Sequence, residues 1–344
     1  MEPRIVLTGA TGFIGSEVAA RLLKEVAPDR LLLLGRRVPE KTSSLFALRL
    51  QEHGLSHLWD KLRWVQADLV DAVSLAATLK ALEPEAQGAS VLHLAAIIHR
   101  TGSAEEQERM NVGVTQDLLA WTQVLQGRFV FMSSVVAFGG TETAEVRSEK
   151  DFPEESFAGL DFDYYATKHR AHRKVLAEAR VPATVFCPGI VHGSLENFKN
   201  SRGHLRALRD GRLKFSPPGG GNIVGLDRVA QAVANEALRP EPRTGTNLVH
   251  TRLLVDLNIS FRDYFQKYVD LALGDQAPTI RSLPMWVGRS AVLVHRAFRK
   301  AGRRVHALEG LAQGTLWLYF RTEHKEAPTA GAIEALKESL DWAE

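Results

Sequence analysis

The chain has 344 residues, 45% apolar and 24% charged, and its 43 basic against 40 acidic side chains leave a formal net charge of +3. This is the composition of an ordinary globular protein, which excludes collagen-like, disordered and disulfide-stapled classes. The single cysteine, Cys187, cannot form an intramolecular disulfide or a cysteine-based metal site. So small a net charge gives no reason to expect a nucleic-acid partner. The longest apolar runs, at 31–34 and 91–98, fall short of the roughly 18 residues that a membrane-spanning helix needs. The opening "MEPRIVLTGATGFIG" has no secretory pattern, so a cytoplasmic location is the default expectation.

In chain order, "RIVLTG", "RLLLLGR", "LRWVQAD", "ASVLHLAA", "RFVFMSS" and "ATVFCPG" are short apolar runs, each followed by a helical or mixed stretch. Strands that are apolar on both faces imply a parallel sheet with helices on both sides, so the class expected is α/β with a doubly wound parallel sheet. The alternation stops near Pro188. The run "SPPGGGN" at 216–222 breaks it, and the remainder reads as a smaller, mainly helical C-terminal substrate region with one or two short strands. The expected division is a nucleotide-binding domain over 1–188 that carries the catalytic residues and a substrate region over 189–344, with 223–250 returning to the core.

The first strand runs into Gly9, Ala10, Thr11, Gly12, Phe13, Ile14 and Gly15, and an amphipathic helix follows at once. Glycines at such a turn let the backbone approach a pyrophosphate, which the unpaired N–H groups and the positive end of the helix dipole stabilise. A tight turn without a ligand is the bland reading. The position at the first strand-to-helix junction of a six-strand pattern favours the nucleotide, with Gly9, Thr11, Gly12, Phe13, Ile14 and Gly15 as its contacts. The spacing, Gly-x-x-Gly-x-x-Gly, is one residue longer between the first two glycines than the usual dinucleotide fingerprint. "TGATGFIG" resembles the N-terminal motif of the short-chain dehydrogenase/reductase superfamily, in particular its extended, epimerase/dehydratase-like branch, which implies a Rossmann fold.

The second strand ends Leu34-Gly35-Arg36-Arg37. A carboxylate at this place binds the ribose 2′-hydroxyl of NAD, whereas a guanidinium accommodates a 2′-phosphate. Arg36 and Arg37 therefore point to NADP(H) over NAD(H). The resemblance adds Asp68 and Leu69 in "VQADLVD" on the adenine side, Ala95 and Ala96 in "LHLAA" on the pyrophosphate side, and Pro188 of "FCPGIVHG".

Tyr164 and Lys168 in "DYYATKHRAHRKVLAEA" lie one turn apart on a helix entering near Asp163, where an ammonium favours a phenolate and fits tyrosine for acid–base work. Tyr165, with His169 at the same spacing, is the weaker candidate. Ser133 and Ser134 end the fifth strand, where a hydroxyl could orient a substrate carbonyl. The resemblance selects Ser134, five residues before the glycine in "SSVVAFGG", and matches Asn111 of "ERMNVGVTQDLL" to an asparagine that anchors water or backbone near the lysine. Asp227 in "IVGLDRVAQAV" extends the match to about residue 240. Cys187 and Arg228 depart from the pattern, where the family usually has arginine and aspartate.

The segment 37–64 reads as an added helix and resembles, loosely, the fatty acyl-CoA and thioester reductase branch. Residues 283–305 combine an apolar face with six cations in a basic amphipathic helix, which fits a membrane interface, a lid over a hydrophobic pocket, or ordinary packing. His93 and His99 read as core or loop residues, and no metal motif is present. The function expected is NADPH-dependent hydride transfer to a carbonyl or thioester carbon of a lipophilic substrate. The alternatives are a nucleotide-sugar epimerase or dehydratase and a non-catalytic NADP-binding protein. The expected partners are a small lipophilic molecule, a second copy in a homodimer and, through 283–305, the periphery of a membrane.

Overall fold

The computed structural model describes residues 4–98, 103–154, 162–196, 203, 207, 212–239, 248–303, 305–323 and 331–343, so that His99 and Arg304 lie outside the described residues. Two compact units divide the chain: 1–134 with 167–187 and 226–252, and 135–166 with 188–225 and 253–344.

A seven-stranded sheet dominates the first unit. Its strands are β1 (Ile5–Thr8), β2 (Leu31–Gly35), β3 (Arg63–Gln66), β4 (Ser90–His93), β5 (Arg128–Met132), β6 (Ala183–Pro188) and β7 (Val249–Leu254), in the order β7-β6-β5-β4-β1-β2-β3. Pairings from β3 through β6 are all parallel, with Leu7 opposite Leu33 on one side and Leu92 on the other. The interior strands β1, β4, β5 and β6 are buried along their whole length, as two-sided coverage demands, whereas β3 at the edge is half open. The order reverses between β1 and β4, which creates a crevice at their C-terminal ends.

The helices of this unit are α1 (Phe13–Glu25), α2 (Leu45–Glu52), α3 (Ala72–Leu82), α4 (Ala104–Glu108), α5 (Val114–Val124), the part of α6 (Asp163–Glu178) from Thr167 onward, and Leu226–Ala237. Helix α2 and a short 3₁₀ turn at Ser56–Lys61 account for the added helical segment after β2. The sequence pattern located six strands. It passed over β7, because "VHTRLL" has only two buried residues at its end and no apolar run.

The second unit holds a three-stranded sheet in which Gly220–Gly225 pairs antiparallel with Leu257–Ser260 and parallel with Ile190–His192. The glycine run expected to break the pattern is thus a buried strand. A Cβ on Gly220 would lie 2.8 Å from the Ile259 carbonyl oxygen and from the Trp317 ring, so glycine is what permits this packing. Short strands also form at Val146–Arg147, Phe215–Ser216, Arg281–Ser282 and Tyr319–Phe320, more than the one or two expected. The apolar core here includes Tyr264, Phe265, Tyr268, Ile280 and Leu336. The basic helix runs over Met285–Lys300, shorter than 283–305, because Gly302 turns the chain at φ +67°.

Glu17, on the buried side of α1, ties that helix to its neighbours. It accepts from Arg21 Nε at 2.9 Å, pairs with Arg49 at 3.2 Å and hydrogen-bonds His53 at 2.9 Å; Arg21 in turn reaches Asp227 and Gln231 on Leu226–Ala237. Burial by itself raises the pKa of Glu17, but the His53 hydrogen bond and the charges of Arg49, His53 and Arg21 hold it below the usual carboxylate value. Replacing Glu17 with alanine leaves Arg49, 1% exposed, with its ion pair to Glu52 but without the Glu17 carboxylate, and takes from Arg21 and His53 a shared buried partner. The expected cost is about 3 kcal/mol in urea unfolding at neutral pH. A carboxyl with a depressed pKa contributes stability above its ordinary range and loses it on protonation, so the gap between wild type and variant should narrow as the solution is acidified.

Candidate functional site

The turn 9–15 is defined by close backbone approaches. Gly9 sits at φ +79°, and a Cβ there would lie 2.6 Å from the Ala95 nitrogen; one on Gly15 would run into the Gly9 carbonyl oxygen. Gly12 N donates to Gly9 O at 2.9 Å, closing the turn. Gly12 is also the N-cap of α1: no side chain caps the helix, and no acidic residue stands in its first turn. Thr11 and Gly12 are exposed, Ile14 is half-buried, and Phe13 and Gly15 are buried. An open helix N-terminus of this kind suits a phosphate.

Beside the turn lies a cavity of about 250 Å³ within the first unit. Of the residues singled out from the sequence, Gly9, Thr11, Arg36, Asp68, Leu69, Ala95 and Ala96 line it. Gly12, Phe13, Ile14 and Gly15 do not, because they shape the turn behind it. Arg37 is exposed and outside the lining, so one of the two guanidiniums at the end of β2 borders the cavity. Trp64, Val70, Ile97, Glu106 and Met110 also line it and were missed, because no motif marks them. The buried Trp64 Nε1 has no hydrogen-bond partner among the described residues.

A π-helical segment, Arg109–Gly113, links α4 to α5 and holds two strand exits of this cavity. Asn111 accepts from Ile97 N at 2.9 Å, donates to Ile97 O at 2.9 Å and donates to Thr167 Oγ1 at 3.1 Å. Arg109 donates to Val70 O at 3.0 Å and to Asp117 at 2.7 Å, with its guanidinium lying where a Cβ on Gly113 would be. The sequence named Asn111; no motif marks Arg109.

Lys168 is buried. Its Nζ donates to Met132 O at 2.8 Å and sits 5.1 Å from the Phe131 ring centroid, and burial lowers its pKa to about 8. His93, hydrogen-bonded to Thr8 Oγ1 at 2.9 Å, is pushed down to about 3 by burial and by the Lys168 charge, so it is a neutral core residue. Ser133 is buried, and Ser134 after it is half-buried. Tyr164, half-buried, and Lys168 are one turn apart on α6, which passes from the second unit to the first between Ala166 and Thr167. Tyr165 is buried edge-on against Phe162 at 5.2 Å, and burial followed by the neighbouring Tyr164 pushes its phenol pKa up, which disfavours a phenolate. Pro188 ends β6, Cys187 lies 3.8 Å from His172 Nδ1, and Arg228 is buried.

The reversed strand order, the glycine turn and the adjoining cavity define an NAD(P)-binding enzyme of Rossmann type. The model of the NAD dependent epimerase/dehydratase family matches residues 5–209, and the chain belongs to that family, the extended branch of the short-chain dehydrogenases/reductases. Among curated proteins it is 26% identical over 252 residues to a polyketide synthase-nonribosomal peptide synthetase of Aspergillus clavatus, covering 70% of this chain. It is 26% identical over 281 residues to an isonitrile lipopeptide synthase of Streptomyces coeruleorubidus, covering 77%. The matches span 6% and 18% of those much longer proteins. Among solved structures, gox2253 superposes with a TM-score of 0.72 at 22% identity over 99% of this chain and 98% of its own. The Bordetella bronchiseptica enzyme WbmG in complex with NAD gives 0.68 at 14% identity over 98% and 93%. The terminal R domain of the myxalamid PKS-NRPS pathway gives 0.67 at 20% identity over 91% and 78%.

If Asn111 anchors the exit of β4, Asn111→Ala should unpin Ile97 while leaving the sheet intact. Hydrogen–deuterium exchange is expected to rise in the peptide containing Ile97 and to stay unchanged in β1 and β5, with a stability loss of about 1–3 kcal/mol.

Proposed function

We propose that the protein is an NADPH-dependent oxidoreductase that delivers hydride to a carbonyl or thioester carbon of a lipophilic, acyl- or lipid-like substrate. The observation that carries the cofactor choice is Arg36, a guanidinium bordering the cavity at the end of β2, where no carboxylate stands. The turn 9–15 and the uncapped start of α1 cradle the pyrophosphate, Asp68 and Leu69 border the adenine, and Ala95, Ala96 and Pro188 complete the set. The bound cofactor supplies the hydride. The chain supplies the rest: the Tyr164 phenol gives its proton to the substrate oxygen, and Ser134 donates a hydrogen bond to that oxygen as charge develops on it. Lys168, fixed by the Met132 carbonyl, lowers the cost of the tyrosinate left behind, and Asn111 holds the strand exit beside it.

The acyl reading is supported by the printed names of the relatives, which include a lipopeptide synthase and the R domain of a PKS-NRPS pathway. A nucleotide-sugar epimerase or dehydratase is the second reading, favoured by the family's own description and by the NAD-containing WbmG structure. The separating experiment is NADPH oxidation against fatty aldehydes, β-keto lipids, acyl thioesters and sugar nucleotides. Turnover of a sugar nucleotide alone, with NAD retained through purification, would select the second reading.

Calorimetry is expected to show NADPH binding at least about tenfold tighter than NADH, a difference of about 1.4 kcal/mol that one charge-assisted contact can supply. Arg36→Ala should remove most of the preference and Arg37→Ala less, because Arg37 stands outside the cavity. Equal affinities in the wild type would overturn the choice of NADP(H).

Tyr164→Phe should abolish turnover with an unchanged melting curve. Lys168→Ala should abolish it too but with a lowered Tm, because it empties a buried position and strands the Met132 carbonyl, whereas Ser134→Ala should cost about 10²–10³ in kcat. The Lys168 ammonium is present below its pKa of about 8 and lost above it. The Lys168-dependent part of kcat/KM should therefore fall as pH rises through that value, and Lys168→Arg should move the alkaline limb upward. An inactive Tyr165→Phe beside a fully active Tyr164→Phe would reverse the assignment of the two tyrosines.

A further inference from the structure

We infer that the helix Met285–Lys300, with the turn that follows it, is a docking surface for an anionic lipid bilayer. Charge along the chain is strongly segregated here. Between Asp275 and Glu309 stand seven arginines and lysines and no carboxylate, in a chain whose net charge is only +3, so the rest of the molecule is net negative. Within the second unit one face of the helix is fastened down. Gly288, Ala291 and His295 are buried, His295 stacks on Phe162 at 5.0 Å, Arg299 pairs with Asp163, and Gly288 packs against Thr315 and Pro218.

The opposite face carries an apolar stripe that packing does not use. Trp286 is 70% exposed, Leu293 65% and Val294 44%. At about 100° per residue, Trp286, Leu293 and Ala297 fall within about 40° of one another. Arg289, Arg296 and Lys300 lie along one flank of that stripe, and Arg303 is exposed just beyond the helix end. The Arg289 ion pair with Glu142, at 3.7 Å between two strongly exposed side chains, is too weak to retire that charge.

An exposed indole and leucine beside a row of cations is the pattern of a helix lying in a headgroup plane: the apolar stripe enters the acyl boundary while the cations meet anionic headgroups. A duplex nucleic acid would use the cations and leave Trp286 and Leu293 idle, and an unpaired strand stacked on Trp286 would still leave Leu293 idle. A second copy docked through this face by two-fold symmetry would set the same row of cations against itself. The bilayer satisfies both features at once. Only this unit is needed, so the inference stands independently of the oxidoreductase reading.

The test uses the whole chain without cofactor or substrate, sedimented with vesicles of phosphatidylcholine containing about 30 mol% phosphatidylglycerol. Wild type is expected to bind these vesicles at low salt, to ignore pure phosphatidylcholine, and to be released as salt rises from about 0.05 M to about 0.5 M. Neutralising Arg289, Lys300 and Arg303 to glutamine should weaken binding about fivefold per cation, near a hundredfold in all. Trp286→Ser with Leu293→Ser should abolish it. These residues are exposed, so melting curves should not move; if the double variant misfolds, Trp286→Phe serves instead, through the loss of a vesicle-induced blue shift in indole emission. No binding to anionic vesicles, or binding that ignores both sets of substitutions, overturns the inference. So does a dimer in sedimentation velocity that Trp286→Ser breaks while vesicles have no effect, which would assign the face to a second copy. Binding to duplex nucleic acid that is tighter than to vesicles and indifferent to Trp286 overturns it as well.

Discussion

The first unit depends on how closely its backbone can approach itself at the exits of β1 and β4. Gly9 lies against the Ala95 nitrogen and Gly15 against the Gly9 carbonyl, distances that no Cβ could share. Those two approaches bring the start of α1 up to the strand ends at the place where the strand order reverses. The cavity beside the turn lies at that reversal, and the positive end of the helix dipole stays open there because Gly12 provides no cap. A larger residue at either glycine would move the helix and the crevice together.

Around that fixed point the loops are held by polar contacts to main-chain atoms. The π-helical segment Arg109–Gly113 is central to this: Arg109 reaches the loop after β3 and Asn111 the loop after β4, from positions two residues apart. Side chains two positions apart on a helix point to nearly opposite sides, so one short segment serves both loops. Lys168 joins the same scheme through the Met132 carbonyl, and its burial links the charge that the proposed chemistry uses to the end of β5. The buried Glu17 network performs the corresponding task behind the turn, with charge in place of hydrogen bonds to backbone.

The two units use sequence differently. In the first, strands buried on both faces read as apolar runs, and β1, β2, β4, β5 and β6 were legible for that reason; β3, half open at the edge, was legible from "LRWVQAD" all the same, whereas β7, half open and carrying His250 and Arg252, was not. In the second, the glycine run 219–221 reads as a loop, but from Gly220 onward it is a buried strand, because Trp317 and Ile259 occupy the space a side chain on Gly220 would need. The basic helix was visible by periodicity, but which of its apolar residues would be buried was not. Trp286 and Leu293 stay outside while the small Gly288 and Ala291 go in.

By itself the sequence determined the α/β class, the glycine turn, the absence of a carboxylate after β2, and the pairing of Tyr164 with Lys168 on one helix. Each of these is a local property of residue type and spacing. Tertiary structure decided which arginine borders the cavity, that Tyr165 is sealed against Phe162 while Tyr164 stays half open, that Trp64 and Met110 line the cavity, and that Arg109 holds the loop at Val70 beside it. Those outcomes depend on contacts between segments far apart in the chain, where burial and electrostatics are set by neighbours that no local pattern names.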